Sequence, residues 1–224
     1  MEYTDKPWFK TWWGILVIIF LAIALIFLVA IGFYIYESVK TAQKSSGVKL
    51  SGQQYDKASK GINYPWGQIA EAPITIVEFG DFACPHCQQA FPTIREISLK
   101  YKNDIKYIWR DYPLATEYST LLALGARCAN EQGLFWPMHD KLFLNQSVSS
   151  ADQLLALTNQ IGADTTRFND CLNQQKYLTQ IKKDLTDGQE FGISGTPTYF
   201  INGYKVEGNI PYNTFVKIIE ELKK

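Results

Sequence analysis

The sequence predicts an α/β domain with a helical insertion in its middle, preceded by one membrane-spanning helix. Three observations predict it. An uncharged, almost wholly apolar run extends from Gly14 to Tyr36, a strand–helix–strand pattern begins at Ile74, and β structure returns near the C-terminus after a long helical stretch. The 224 residues suit one domain plus an appendage. With 22 basic and 22 acidic residues the net charge is zero, and no basic face or tail marks the chain for nucleic acid. The 6 Trp, 13 Tyr and 13 Phe suit a well-packed core.

The apolar run is the appendage. At about 1.5 Å per residue it crosses the roughly 30 Å hydrocarbon layer. Trp8, Trp12 and Trp13 at one end and Tyr34 and Tyr36 at the other match interfacial aromatic belts. The run is too long for a signal-peptide core, and no convincing small-x-small cleavage site follows it. The expectation is an uncleaved anchor at 14–36 after a short cytoplasmic segment at 1–13. Lys6 and Lys10 before the run and Lys40, Lys44 and Lys49 after it do not orient it by charge. Residues 37–62 are rich in Ser, Lys, Gln and Gly without a sustained apolar period, which predicts a flexible linker to a domain at 63–224.

Within that domain Ile74-Thr75-Ile76-Val77-Glu78-Phe79 is β-branched and aromatic, a buried strand. Phe91, Ile94, Ile97 and Tyr101 then fall at helical spacing, with Pro92 predicting a kink or break. Ile105 to Asp111 is a second strand, completing a right-handed βαβ unit. A helical block occupies about 115–191. Leu121, Leu124 and Cys128 share one helix face, Ser149-x-x-Asp152 resembles a capping box, and Phe168, Cys171 and Leu172 share another face. Pro197 to Ile201, an Asn202-Gly203 turn and Tyr204 to Val206 read as a hairpin. Phe215, Ile218, Ile219 and Leu222 make a closing amphipathic helix. The order βαβ, helical block, ββα is that of a thioredoxin-like fold with an inserted helical subdomain.

The chemistry sits in Cys84-Pro85-His86-Cys87. Two thiols at this spacing alternate between a dithiol and a short disulfide. A helix start supplies free backbone N–H groups and the positive end of the macrodipole, both favouring a thiolate. A protonated His86 would favour it further. An easily formed thiolate stabilises the dithiol and makes the disulfide oxidising. Such a pair is useful outside the reducing cytosol, so the domain is expected there. Zinc would need two more ligands, and Cys128, Cys171 and His139 are scattered, so no metal or cofactor is expected. Cys128 and Cys171 read either as two buried thiols or, from the even cysteine count, as a structural disulfide. Glu78 shares a strand face with Ile74 and Ile76, which predicts burial and a raised pKa. Asp81 reads as a turn residue and His139 as a helical histidine satisfied by its neighbours.

These residues resemble a known family. Val77-Glu78-Phe79, Asp81-Phe82 and Cys84-Pro85-His86-Cys87 resemble the active-site strand and motif of DsbA-like thiol:disulfide oxidoreductases, and Gly195-Thr196-Pro197-Thr198 resembles their cis-proline loop. The likeness covers roughly Tyr64 to Lys224, and with its anchor the chain resembles membrane-tethered bacterial members. It implies Cys84 as exposed attacking thiolate, Cys87 as buried resolving thiol and His86, with Pro85, as tuner of the pair. It implies a cis Pro197 that places the Thr196 backbone beside Cys84, and Glu78 as the buried acid that moves the Cys87 proton. It also implies an oxidase on the outer side of the cell membrane, acting on reduced exported proteins and re-oxidised by a DsbB-like or VKOR-like membrane partner. A reductase or isomerase of the same fold, and a tethered binding or chaperone module with an inert disulfide, are the alternatives.

Overall fold

The computed structural model describes residues 12–45, 49–60, 64–66 and 72–224. Of the segment expected before the span, 1–11, with Trp8, Lys6 and Lys10, lies outside the described residues, and Trp12 and Trp13 open helix α1. The chain divides into two units, Met1–Ser45 and Ser46–Lys224. In the first, helix α1 (Trp12–Ser45) contains the apolar stretch Ile15–Tyr34, long and apolar enough to cross a bilayer. Its large side chains, such as Phe20, Ile26 and Phe27, are exposed along the helix.

The expected linker over 37–62 needs correction. Helix α1 continues through 37–45, and residues 49–60 are ordered on the domain. Leu50 is buried with Val77, Phe79 and Phe200, its N–H donates to Gly203 O at 2.9 Å, and Lys49 bridges Tyr204. Helix α2 (Gly52–Ser59) starts in a capping box: Ser51 Oγ accepts from Gln54 N at 3.3 Å and Gln54 Oε1 accepts from Ser51 N at 3.0 Å. At its other end Arg110 Nη1 donates to Lys57 O at 3.1 Å and Ala58 O at 3.2 Å, satisfying carbonyls that a helix end leaves open. A polar composition concealed a segment held by two buried apolar residues, Leu50 and Ala58, and its caps.

Five strands form one sheet in the order β1-β3-β2-β4-β5. Strand β2 (Ile74–Gly80), helix α3 (Pro85–Lys100) and strand β3 (Ile105–Asp111) make the parallel βαβ unit. Strand β1 (Tyr64–Trp66), not foreseen, pairs antiparallel with β3 at the edge. On the other side β4 (Thr198–Ile201) and β5 (Tyr204–Glu207) form the hairpin, with β4 antiparallel to β2. Asn202 and Gly203 both have positive φ, 47° and 86°, as the tight hairpin turn requires. Helix α3 is not broken at Pro92. The proline removes one bond to the Gln88 carbonyl, but Phe91, Ile94 and Ile97 are buried on both sides and hold the helix continuous.

The insertion comprises α4 (Ser119–Asn130), α5 (Phe135–Leu144), α6 (Ala151–Gln160), α7 (Thr165–Asn173) and α8 (Leu178–Glu190). Its apolar faces share one core with Phe82 and Cys87, so the insertion roofs the start of α3. The cap of α6 is Ser150, one residue later than expected: its Oγ accepts from Gln153 N at 3.4 Å. Cys128 on α4 and Cys171 on α7 are bonded, with Cα atoms 5.7 Å apart. Helix α9 (Tyr212–Leu222) closes the chain, burying Phe215 and Ile219.

Candidate active site

Strand β2 ends at Gly80, where a Cβ would lie 2.2 Å from the Trp109 ring, so only glycine lets the two strands carry this contact. The chain then turns around Asp81. Its Oδ1 accepts from Ala83 N at 2.9 Å, and its Oδ2 accepts from Leu114 N at 2.8 Å and Ala115 N at 2.7 Å. Phe82 stacks on Trp109 with ring centroids 4.7 Å apart. Thus Asp81 is a turn residue that also ties the turn to the loop after β3.

This turn delivers Cys84 to the N-cap of α3, with Pro85 at the first helical position, where its missing N–H costs nothing. Two glutamines fix the helix start to the insertion. Gln146 Nε2 donates to Phe82 O at 3.0 Å and Cys84 O at 2.9 Å, and Gln88 Nε2 donates to Phe143 O at 3.0 Å. Both thiols are free. Cys84 is 6% exposed and Cys87 1%, so Cys84 is the more accessible sulfur but is recessed rather than open. Its Sγ lies 3.4 Å from Thr196 O, across a cis Thr196–Pro197 bond. The loop is held by Thr198 Oγ1 donating to Gly195 O at 2.7 Å.

The two thiols differ sharply in acidity. A hydrogen bond with Cys87 is the largest influence on Cys84. With help from the Thr196 side chain and the backbone N–H groups of Cys87 and His86, and against burial, it lowers the thiol from 9.0 to about 5. Burial, then the hydrogen bond with Cys84 and the charges of Glu78 and Cys84, raise Cys87 well above 9.0. His86 is exposed, and its backbone N–H is among the groups that stabilise the thiolate.

Glu78 is 2% exposed. Tyr107 on β3 donates its hydroxyl to Glu78 Oε2 at 2.6 Å, and Tyr199 on β4 lies directly opposite Glu78 in the ladder. Burial raises the carboxyl from 4.5 to about 7, against the two tyrosines, which lower it. His139 is buried on α5. It is enclosed by Phe82, Trp109, Trp136 and Phe143, its Nδ1 is 3.0 Å from Asp140 Oδ1, and burial lowers its pKa. Among the described residues no group of three or more His, Cys, Asp or Glu side chains is placed to hold a metal ion.

Tyr107, Gln88, Gln146 and a buried charge cluster escaped the sequence reading. In that cluster Arg127 Nε reaches Asp111 Oδ2 at 2.5 Å and its Nη2 bonds Asp184. Arg110 Nη2 meets Asp184 Oδ1 at 2.7 Å and Asp187 Oδ2 at 2.6 Å. An arginine within the apolar run Leu121 to Ala129 was the available signal, because a charge there must be paired.

Residues 67–221 match the family described as Thioredoxin. The Na(+)/H(+) antiporter NhaA 1 of Salinispora arenicola is 38% identical over 141 residues, 62% of this chain and 22% of that protein. Na(+)/H(+) antiporter NhaA 3 of Salinispora tropica is 39% identical over 145 residues, 64% of this chain and 22% of that one. The chain therefore spans about a fifth of the length of these curated relatives. Among solved structures, the thiol-disulfide exchange protein alpha-DsbA2 of Wolbachia pipientis is 24% identical. It covers 76% of this chain and 92% of its own, with a TM-score of 0.70. Oxidised BdbD of Bacillus subtilis is 26% identical, covering 80% and 98%, with a TM-score of 0.64. The chain belongs to the thioredoxin family, and its fold is that of the DsbA-type thiol-disulfide exchange protein.

Proposed function

We propose that this protein is a membrane-anchored thiol oxidase, with its catalytic domain outside the cytosol, that introduces disulfides into exported proteins. The observation that carries the direction is the contrast between the two thiols, Cys84 lowered to about 5 and Cys87 raised well above 9.0. At neutral pH the reduced centre holds one thiolate and one thiol. Stabilising that thiolate stabilises the dithiol, and so makes the disulfide a stronger oxidant. The apolar stretch Ile15–Tyr34 supports the anchor, with 1–13 on the cytoplasmic side and the domain on the other. Relatives named as Na(+)/H(+) antiporters carry a matching segment, which supports a domain that works at a membrane.

In this reading a substrate thiolate attacks Cys84 Sγ of the Cys84–Cys87 disulfide. A mixed disulfide forms, and Cys87 leaves as a thiolate that takes a proton from Glu78. The Thr196-Pro197 loop supports the substrate strand beside Cys84. A second substrate thiolate then attacks the substrate sulfur of the mixed disulfide and displaces the Cys84 thiolate. The substrate has lost two electrons and formed a disulfide; the protein has gained them as a dithiol. A quinone-linked membrane partner of the DsbB or VKOR kind takes the electrons away.

The test is the equilibrium of the Cys84–Cys87 couple against glutathione redox buffers at pH 7. An oxidase has a potential well above the roughly −270 mV of thioredoxin. A value close to that figure would make the protein a reductase and overturn the proposed direction.

A further inference from the structure

We propose that Tyr107 is a positioning residue of the redox centre: its hydroxyl holds the Glu78 carboxyl in the orientation from which it exchanges a proton with Cys87. This rests on the dithiol reading above and adds a residue to it.

The geometry is specific. Tyr107 and Glu78 sit on adjacent parallel strands, and the hydroxyl donates to Glu78 Oε2 at 2.6 Å in a fully buried site. The groups that act on Glu78 are Tyr107 from β3, Tyr199 from β4, and Cys84 and Cys87 from the start of α3. Among the described residues no ion pair reaches it, and the Tyr199 hydroxyl falls short of hydrogen-bond geometry with any group. Tyr107 is thus the donor that orients this carboxyl. Its ring is held in turn, buried at the sheet and 5.2 Å from the Trp136 ring.

The bond also has a direction. Burial and the nearby Glu78 carboxyl push the phenol of Tyr107 well above 10.0, so it keeps its proton and donates a hydrogen bond to the carboxylate. A fixed O–H donor favours the ionised carboxyl over the neutral one. It opposes the burial that drives Glu78 upward, and keeps the carboxyl titrating near neutrality. The proton of Glu78 is then free to move to and from Cys87, not Tyr107.

The experiment follows one step in the detergent-solubilised full chain. Cys84 is converted to its mixed disulfide with glutathione. Cys87 then attacks Cys84 Sγ, the Cys84–Cys87 bond forms, glutathione leaves as thiolate, and the Cys87 proton passes to ionised Glu78. The rate is recorded from pH 5 to 9. Tyr107→Phe is expected to move the midpoint governed by Glu78 up by about one unit. That leaves about a tenth of the carboxyl ionised at pH 7 instead of half, and slows the step about fivefold. In the Glu78→Gln background the same substitution is expected to change nothing. An unmoved midpoint, or equal slowing with and without Glu78, overturns the proposal. A profile that Glu78→Gln leaves intact overturns it together with the proton role of Glu78. Failure of the dithiol reading shows separately, as a wild-type mixed disulfide that Cys87 never resolves. Should Tyr107→Phe not fold, carbon-13 labelling of the tyrosine Cζ atoms decides. One wild-type tyrosine resonance is expected to follow the Glu78 midpoint and to lose that titration in Glu78→Gln; no such resonance overturns the proposal.

Discussion

At the C-terminal end of β3, Arg110 and Arg127 share the carboxylates of Asp111, Asp184 and Asp187, all buried. One strand away Glu78, equally buried, has a tyrosine hydroxyl and two neighbouring thiols for company. The first cluster compensates its charges. Burial alone would raise Asp187, but hydrogen bonds from Lys183, Lys57 and Arg110 outweigh it and hold the carboxyl below its usual range. The second cluster leaves a carboxyl without a counter-charge, and burial carries it to about 7. These two clusters hold buried charge in different ways. One joins α2, β3, α4 and α8 through paired charges; the other can gain or lose a proton near neutrality.

The sharpest way to break that contrast is to remove one charge from the paired cluster. Arg127→Met leaves Asp111 and Asp184 short of a cation in a dry site, and such losses cost about 3–5 kcal/mol. Urea unfolding of the solubilised chain is expected to show that loss at pH 7. The penalty shrinks in acid as Asp184, whose carboxyl burial raises, takes up a proton. The effect should also reach the redox centre, because Asp111 Oδ1 accepts from Trp109 Nε1 at 2.9 Å and Trp109 stacks on Phe82. A neutral or stabilising Arg127→Met would mean that the cluster is not worth its desolvation.

The matching change at the unpaired carboxyl has the opposite sign. The folded-state pKa of Glu78 is raised, so its favourable contribution is complete below about 4.5 and is lost as pH rises through about 7. Glu78→Gln removes that pH-dependent loss. The variant is expected to match wild type near pH 4 and to exceed its stability by up to about 3 kcal/mol at pH 8, less the value of the Tyr107 bond. Unfolding curves at the two pH values check it. A variant destabilised equally at both would show that Glu78 is a structural residue.

The sequence made one half of this picture legible. Cys84-Pro85-His86-Cys87, Gly195-Thr196-Pro197-Thr198 and the Asn202-Gly203 turn are local, and local spacing identifies them. The βαβ unit and the hairpin followed from residue type and period. The partners of Glu78 did not, because Tyr107 stands 29 residues away and meets it only through the β2–β3 register. Arg127 and Asp184 are 57 residues apart, on two helices whose packing no periodicity records. The docked segment before the sheet is illegible for a related reason. Its composition is polar, and the one local signal was the cap Ser51-x-x-Gln54. A capping box predicts a helix but not where that helix rests.

The smallest expected effect concerns Tyr199, which separates two kinds of contact with Glu78. Its ring is fully buried against Phe215, 5.3 Å between centroids, yet its hydroxyl makes no hydrogen bond among the described residues. A buried hydroxyl without a partner carries an uncompensated desolvation cost, so removing it loses no bond. Tyr199→Phe should therefore leave unfolding stability at pH 6 unchanged or raise it by up to about 1 kcal/mol. Above pH 7, where Glu78 is ionised, the hydroxyl dipole opposite the carboxylate still favours the charged form, and the gain should narrow. A loss of more than 1 kcal/mol at pH 6 would show that Tyr199 closes on Glu78 in solution and shares the task assigned to Tyr107. In that case the carboxyl has two donors, and the double variant must shift its titration further than either single change.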